Sequence, residues 1–149
     1  MKDFGLCFHH LGLATREPAG AGKFLKGLGY EIGEIVHDPA HNVNVAICTC
    51  HDKPDVELVT PSEGESPLDN ILERHDSLIY HTCYVSEDVE ASLAEMDEAG
   101  HRVIPLSAPK KAVLFGGRKV SFYAVKGFGV IEIIDDSPEE RPETGGALQ

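Results

Sequence analysis

Phe8-His9-His10-Leu11-Gly12-Leu13-Ala14 and, 71 positions later, Ile79-Tyr80-His81-Thr82-Cys83-Tyr84-Val85 decide the fold, because they are two copies of one signal. Each is a short, mostly apolar run with a histidine at the same place. Nineteen residues after His10 comes Gly29, and nineteen after His81 comes Gly100. The offset is close to half of the 149-residue chain, and self-similarity at that spacing predicts two similar units packed together.

Working outward, both copies read alike. The His-bearing strand ends at a residue suited to cap a helix, Thr15 or Ser86. Acids follow where a helix N-terminus favours them: Glu17 in one copy, Glu87 and Asp88 in the other. Ala21, Phe24, Leu25 and Leu28 then form one apolar stripe, and Val89, Leu93 and Met96 form another. Gly29 and Gly100 predict the helix stops. Strands are expected over 31–36, 43–50 and 56–60 in the first copy, and over 102–106, 113–123 and 130–134 in the second. Asp38-Pro39, Asp52-Lys53-Pro54, Gly116-Gly117 and Lys126-Gly127 supply the turns. The expected organisation is a first βαβββ module over 1–61, a linker over 62–77 with a short helix at Pro67–His75, a second module over 78–136, and a Pro-, Glu- and Gly-rich disordered tail over 137–149.

Composition bounds the function classes. An apolar fraction of 42% suits a globular chain. No apolar run reaches the roughly 18 residues of a membrane span, and the N-terminus lacks a basic-then-apolar leader, so a cytoplasmic location is expected. A net charge of −12 disfavours nucleic acid and anionic membranes as partners. Yet Arg102, Lys110, Lys111, Arg118, Lys119 and Lys126 fall in a window with no acid. That strip suits an anionic small molecule, or equally a solvated edge that discourages aggregation. Cys7, Cys48, Cys50 and Cys83 each lie in a strand-like stretch and read as small buried thiols of a reducing compartment. Cys48-Thr49-Cys50-His51 lacks the second Cys/His pair of a zinc finger.

The chemistry concentrates in four residues. Glu132 interrupts Val130-Ile131-Glu132-Ile133-Ile134, which reads as a strand buried on both faces. A carboxylate there must be protonated, paired or metal-bound, because burying it alone is costly. His81 shares its strand face with Ile79, Cys83 and Val85. Alone it would read as a hydrogen-bonded core histidine, but its repeat mate His10 raises a ligand role. His9 points to the other face. Glu57, in Val56-Glu57-Leu58-Val59, is the counterpart of Glu132, each on the last strand of its copy. The set reads His, Glu, His, Glu, and such donors suit one divalent ion of Fe, Co, Ni, Mn or Zn. Four protein ligands in an octahedral shell leave two positions for water or substrate.

At these residues the chain resembles the vicinal oxygen chelate (glyoxalase/bleomycin resistance/dioxygenase) superfamily, and within it the methylmalonyl-CoA epimerases. His10-Leu11-Gly12-Leu13-Ala14 is similar to the family's H-I-G-I-A, and Val56-Glu57-Leu58-Val59-Thr60-Pro61 to its x-E-L-L-x-P. Ser66-Pro67-Leu68 through Leu72-Glu73-Arg74 resembles S-P-I…F-L-E-K, Tyr80-His81-Thr82-Cys83 resembles H-H-I-x, and Gly129-Val130-Ile131-Glu132-Ile133 resembles G-V-L-V-E-L. The resemblance implies an α+β fold, with two βαβββ modules forming a curved eight-stranded mixed sheet around a metal held by His10, Glu57, His81 and Glu132. It also implies a homodimer. The same ligand set resembles that of glyoxalase I. One departure stands out: where the epimerases carry P-E-x-G-V with a second catalytic glutamate, this chain has Pro39-Ala40-His41-Asn42-Val43. Alanine moves no proton, and His41 is its neighbour. The D-P-D-G turn usual in glyoxalases is replaced by Val125-Lys126-Gly127-Phe128.

The function expected on these grounds is proton transfer at the carbon next to a carbonyl or thioester, by way of a metal-stabilised enolate. Glu132 is the expected base, with Glu57 or His41 returning the proton. Lys110, Lys111, Arg118 and Lys119 are expected to hold the phosphates of an anionic substrate such as a CoA thioester. A glyoxalase-like lyase uses the same ligand set and needs no group at position 40. An extradiol-type dioxygenase has less need of a fourth ligand at Glu57. A non-enzymatic binding module of the same fold has no need of buried acids beside histidines.

Overall fold

A computed structural model describes residues 2–141. The chain divides into two compact units. The first is His10–Tyr80; the second combines Met1–His9 with His81–Gln149. The boundary thus falls within the two His-bearing strands and differs from the expected break at 62–77. Within the described residues no helix is long and apolar enough to cross a membrane.

The first unit contains most of β1 (Leu6–Thr15), then α1 (Pro18–Gly27), β2 (Glu31–Ile32), β3 (Val36–Asp38), β4 (Val43–Cys50) and β5 (Lys53–Pro61). Its strands run in the order β2-β4-β5-β1, with β3 also pairing β4. β1 and β5 are parallel, while β4 and β5 form an antiparallel hairpin. One face packs under α1 through Leu25, Tyr30, Ala46, Cys48, Val56 and Leu58. Burial there pushes the Cys48 thiol above its ordinary range.

The second unit repeats the plan. β6 (Ser77–Ser86), α2 (Val89–Glu98), β7 (Val103–Pro105), β8 (Lys110–Lys111), β9 (Lys119–Val125) and β10 (Gly129–Asp135) follow in order. The strand order is β6-β10-β9-β7, with β8 also pairing β9. β6 and β10 are parallel, while β9 and β10 are antiparallel. Met96, Tyr123, Ile131 and Ile133 form the core under α2. The chain is therefore α+β with four principal strands in each unit, as expected, and β3 and β8 are short additions to the expected eight.

Local chemistry explains the helix boundaries. Tyr30 N–H donates to Leu25 O and Gly29 N–H to Lys26 O; His101 N–H donates to Met96 O and Gly100 N–H to Asp97 O. Both sets are the paired bonds of a Schellman stop, and the glycines sit at φ 103° and 87°. Thr15 Oγ1 accepts from Glu17 N–H, and Ser86 Oγ accepts from Asp88 N–H. They close the turn into each helix rather than capping it; the cap of α2 is Asp88, whose side chain accepts from Ala91 N–H, and α1 has no side-chain cap.

Several expected elements differ. The strand over 31–36 breaks into β2 and β3 because Gly33 donates to Ile47 O, and a Cβ there would collide with that carbonyl. The strand over 113–123 begins only at Lys119, because Phe115, Gly116 and Gly117 turn through φ 64°, 69° and 75°. Pro67–His75 forms successive turns instead of a helix: Leu72 N–H donates to Leu68 O, and both leucines are buried. Of the α1 stripe, Leu25 is buried and Ala21 packs against the core, whereas Phe24 and Leu28 are exposed. They lie past the edge of the sheet-facing side. Cys7 is exposed and Cys50 half-buried, so only Cys48 and Cys83 are buried thiols. Of the tail expected to be disordered, 137–141 forms a turn, with Arg141 N–H donating to Ser137 O; 142–149 lies outside the described residues.

Candidate functional site

In the first unit β1 lies parallel to β5 with Gly12 opposite Glu57 and Ala14 opposite Val59. Opposed residues share a face, so His10, Gly12 and Ala14 lie on the face away from α1, together with Glu57 and Val59. His10 is two residues before Gly12, diagonal to Glu57. Gly12 has no side chain to fill the corner between them. His10 Nε2 lies 3.6 Å from Glu57 Oε1, and both residues are buried. Ile47 opposes Glu57 from β4.

The second unit contains the same arrangement. β6 lies parallel to β10 with Val130 opposite His81 and Glu132 opposite Cys83. Again the glutamate opposes the residue two after the histidine. His81 Nε2 lies 3.2 Å from Glu132 Oε1, and both are buried. Phe122, opposite Glu132 on β9, packs edge-on against the His81 ring at 5.4 Å.

Within each pair a ring nitrogen and a carboxylate oxygen lie close together, and both residues are buried. Two contacts of 3.6 and 3.2 Å are long for charge-assisted hydrogen bonds, which run about 2.7–2.9 Å. Nitrogen and oxygen donors of this type fit a borderline divalent cation. His9, by contrast, stacks edge-on with Phe115 at 5.3 Å, as its opposite strand face requires.

The other expected residues fall in distinct places. His41 lies in the β3–β4 turn, where its Nδ1 is 2.9 Å from Asp38 Oδ2. Asp38 is buried and its Oδ1 also accepts from the backbone N–H groups of Ala40 and His41. Sequence reasoning missed Asp38; the signal available was an Asp-Pro turn three residues before a histidine. Lys110 and Lys111 are exposed on β8, opposite Val120 and Lys119. Lys119 Nζ lies 3.5 Å from Glu140. Arg118, expected to hold phosphates, has a buried side chain whose Nε donates to Asp136 Oδ1 at 2.8 Å and Nη1 to Phe115 O at 3.1 Å. Five donors in a fixed fork make such an arginine a brace for the β9 end, withdrawn from solvent. Cys50, His51 and Asp52 also cluster, but Lys53 Nζ sits on Asp52 at 2.9 Å and supplies the positive charge there.

Comparison with known proteins agrees with this geometry. The solved methylmalonyl-CoA epimerase of Mycobacterium tuberculosis shares the fold, with a TM-score of 0.69 over 89% of each chain at 15% identity. A Streptomyces coelicolor methylmalonyl-CoA epimerase solved with 2-nitronate-propionyl-CoA does so with a TM-score of 0.65 at 18% identity, over 88% of this chain and 96% of its own. An ethylmalonyl-CoA/methylmalonyl-CoA epimerase of Cereibacter sphaeroides is 33% identical over 114 residues, covering 72% of this chain and 84% of the relative. The family model described as the Glyoxalase/Bleomycin resistance protein/Dioxygenase superfamily matches residues 9–122, and with the duplicated βαβββ plan and the twin His–Glu pairs it establishes that the chain belongs to that superfamily.

Proposed function

We propose that the chain is a divalent-metal-dependent epimerase that moves the proton next to the thioester carbonyl of an acyl-CoA. One observation carries the reading: a buried His–Glu pair occurs twice, in the same strand register. A single pair reads as a core hydrogen bond, whereas two matched pairs read as a ligand set. The 33% identity to an ethylmalonyl-CoA/methylmalonyl-CoA epimerase supports an acyl-CoA as the proposed substrate class. His10, Glu57, His81 and Glu132 are the proposed ligands. When bound, a divalent ion supplies Lewis-acid stabilisation of negative charge on the thioester oxygen.

The chain's own residues account for the rest. Glu132, buried among apolar neighbours, is the proposed base at the α-carbon. Lys110 and Lys111, exposed on β8, are proposed to hold CoA phosphates, with Lys119 beside them. Epimerisation needs a second proton-handling group, and Glu57 and His41 are the candidates in the first unit. We further propose a cytoplasmic homodimer; exposed Phe24 and Leu28 on α1 offer apolar surface for association.

Incubating one epimer of methylmalonyl-CoA with the protein in deuterated water tests the reading. The expected result is deuterium incorporation with loss of configuration, and none with Glu132→Gln. Exchange that survives Glu132→Gln refutes the assigned base. The second reading is a glyoxalase-like lyase, favoured by the superfamily match and the same donor set. Turnover of a methylglyoxal–thiol adduct, with no exchange on the acyl-CoA, would establish it instead.

A further inference from the structure

Strand register in the second unit lays out an apolar path from the His81–Glu132 pair to the edge of the sheet. One row across the strands reads Glu132, Phe122, Leu106: Phe122 opposes Glu132, and Leu106 N–H donates to Phe122 O at 2.8 Å. The neighbouring row reads His81, Val130, Ala124, Ile104. Opposed residues share a face, so both rows lie on the side of the sheet away from α2. The α2 side is taken up by Tyr123, Ile131 and Ile133, with Val103 and Val125 packed against them. Phe122 joins the path to the pair directly, since its ring packs edge-on against His81 at 5.4 Å.

The far end of the path is apolar and open. Ile104 is 44% exposed and Leu106 54%. An antiparallel strand with one face on the core ordinarily turns polar residues to the solvent. The edge strand β7 departs from that rule, with Ile104 and then Leu106 alternating on the face away from α2. Ser107 Oγ accepts from Phe122 N–H at 3.2 Å and holds the chain against β9 just past Leu106.

A third row ends in a charge. Lys110 opposes Val120, and Val120 opposes Ile134. Lys110 therefore lies on the Glu132 face, one row beyond Leu106. Lys111 opposes Lys119, and the alternation of the strand starts both from the α2 side. Lys119 is paired with Glu140 and Arg118 with Asp136, whereas among the described residues no carboxylate pairs with Lys110. Strand spacing and rise put the Cα atoms of Lys110 and Glu132 roughly 12 Å apart. The face thus offers an acid at one end, an apolar floor in the middle and a cation at the other end.

We infer that this path seats the pantetheine arm of an acyl-CoA, with Ile104 and Leu106 under its methylene and dimethyl groups and Lys110, rather than Lys111 or Lys119, on its phosphates. The inference rests on the epimerase reading and decides among the lysines named there. The arm is uncharged and largely hydrocarbon, so covering two exposed aliphatic side chains with it removes apolar surface from water. The phosphates are anionic, and on a chain of net charge −12 a cation on the acid-bearing face is what admits them.

The test compares two thioesters of one acid: methylmalonyl-CoA, and methylmalonyl-pantetheine, which keeps the arm and lacks the nucleotide phosphates. Lys110→Glu should raise KM for the CoA thioester about tenfold or more and KM for the pantetheine thioester less than about twofold. Lys111→Glu should raise KM for the CoA thioester no more than about threefold, through screened long-range charge. Leu106→Ser and Ile104→Ser should raise KM for both thioesters, by about fivefold each. Equal rises in the two lysine variants, or a rise in Lys110→Glu that is as large on the pantetheine thioester, overturn the path and leave the epimerase reading in place. A wild-type protein that epimerises neither thioester overturns the epimerase reading. Calorimetric titration with CoA alone then decides the path: binding weakened in Lys110→Glu and kept in Lys111→Glu supports it, and absence of binding overturns it too.

Discussion

The two units agree where the metal ligands are proposed and differ where the hairpin turns. In both, a parallel strand pair sets a glutamate opposite the residue two after a histidine. In both, a hydroxyl closes the turn into the helix and a glycine ends it. At the β3–β4 turn the first unit places Asp38 and His41, a polar pair. At the corresponding turn between β8 and β9 the second unit places a buried Phe115, and Arg118 fastens it to Asp136. A duplicated frame thus supplies two equal His–Glu pairs, while the turns, which bear no sheet register, are free to differ. One turn is held by a histidine–carboxylate contact and the other by packing and an ion pair.

The largest effect expected from breaking this comparison is on metal. His10→Ala and His81→Ala should each reduce bound divalent ion from about one per chain to near zero, measured by elemental mass spectrometry after metal-supplemented growth. Equal losses support equivalent pairs. Full occupancy in either variant would show that its pair is a core hydrogen bond.

A smaller effect is expected at the closed turn. Arg118→Ala leaves the Asp136 carboxylate and the Phe115 carbonyl without that guanidinium, and should cost about 2–3 kcal/mol in urea denaturation. Arg141 also lies 3.3 Å from Asp136, which keeps the cost below that of a fully isolated buried charge. His41→Gln should cost less than Arg118→Ala, about 1 kcal/mol, because the half-buried glutamine can still donate to Asp38. A large loss there would make the Asp38–His41 pair a structural brace like its counterpart.

The smallest effect sharpens the match. Thr15→Ala should cost about 1 kcal/mol through the lost bond to Glu17 N–H. Ser86→Ala should cost somewhat more, because its hydroxyl also shares a buried 2.8 Å bond with Ser92. Thermal denaturation of the pair of variants measures the difference, and a reversed order would mean the two turns are not equivalent.

The sequence by itself determined the duplicated plan, the helix stops, and the four residues that form the two buried His–Glu pairs. Those features are written in spacing: 71 residues separate the histidines and the glycines, and period-2 and period-3.6 patterns are local consequences of strand and helix geometry. Glu132 was legible because a charge among four apolar neighbours has to be explained. Tertiary structure alone decided the rest. That Arg118 is a buried brace depends on Asp136 and Phe115, which no spacing rule brings to it. The break between β2 and β3 depends on Ile47 O approaching Gly33, a contact between strands fourteen residues apart in sequence. The face on which Asp38 lies depends on strand register, and a shift of one residue would have turned it to the face under α1. Local patterns fix elements; the partners of a polar side chain are fixed only when packing chooses which elements meet and in what register.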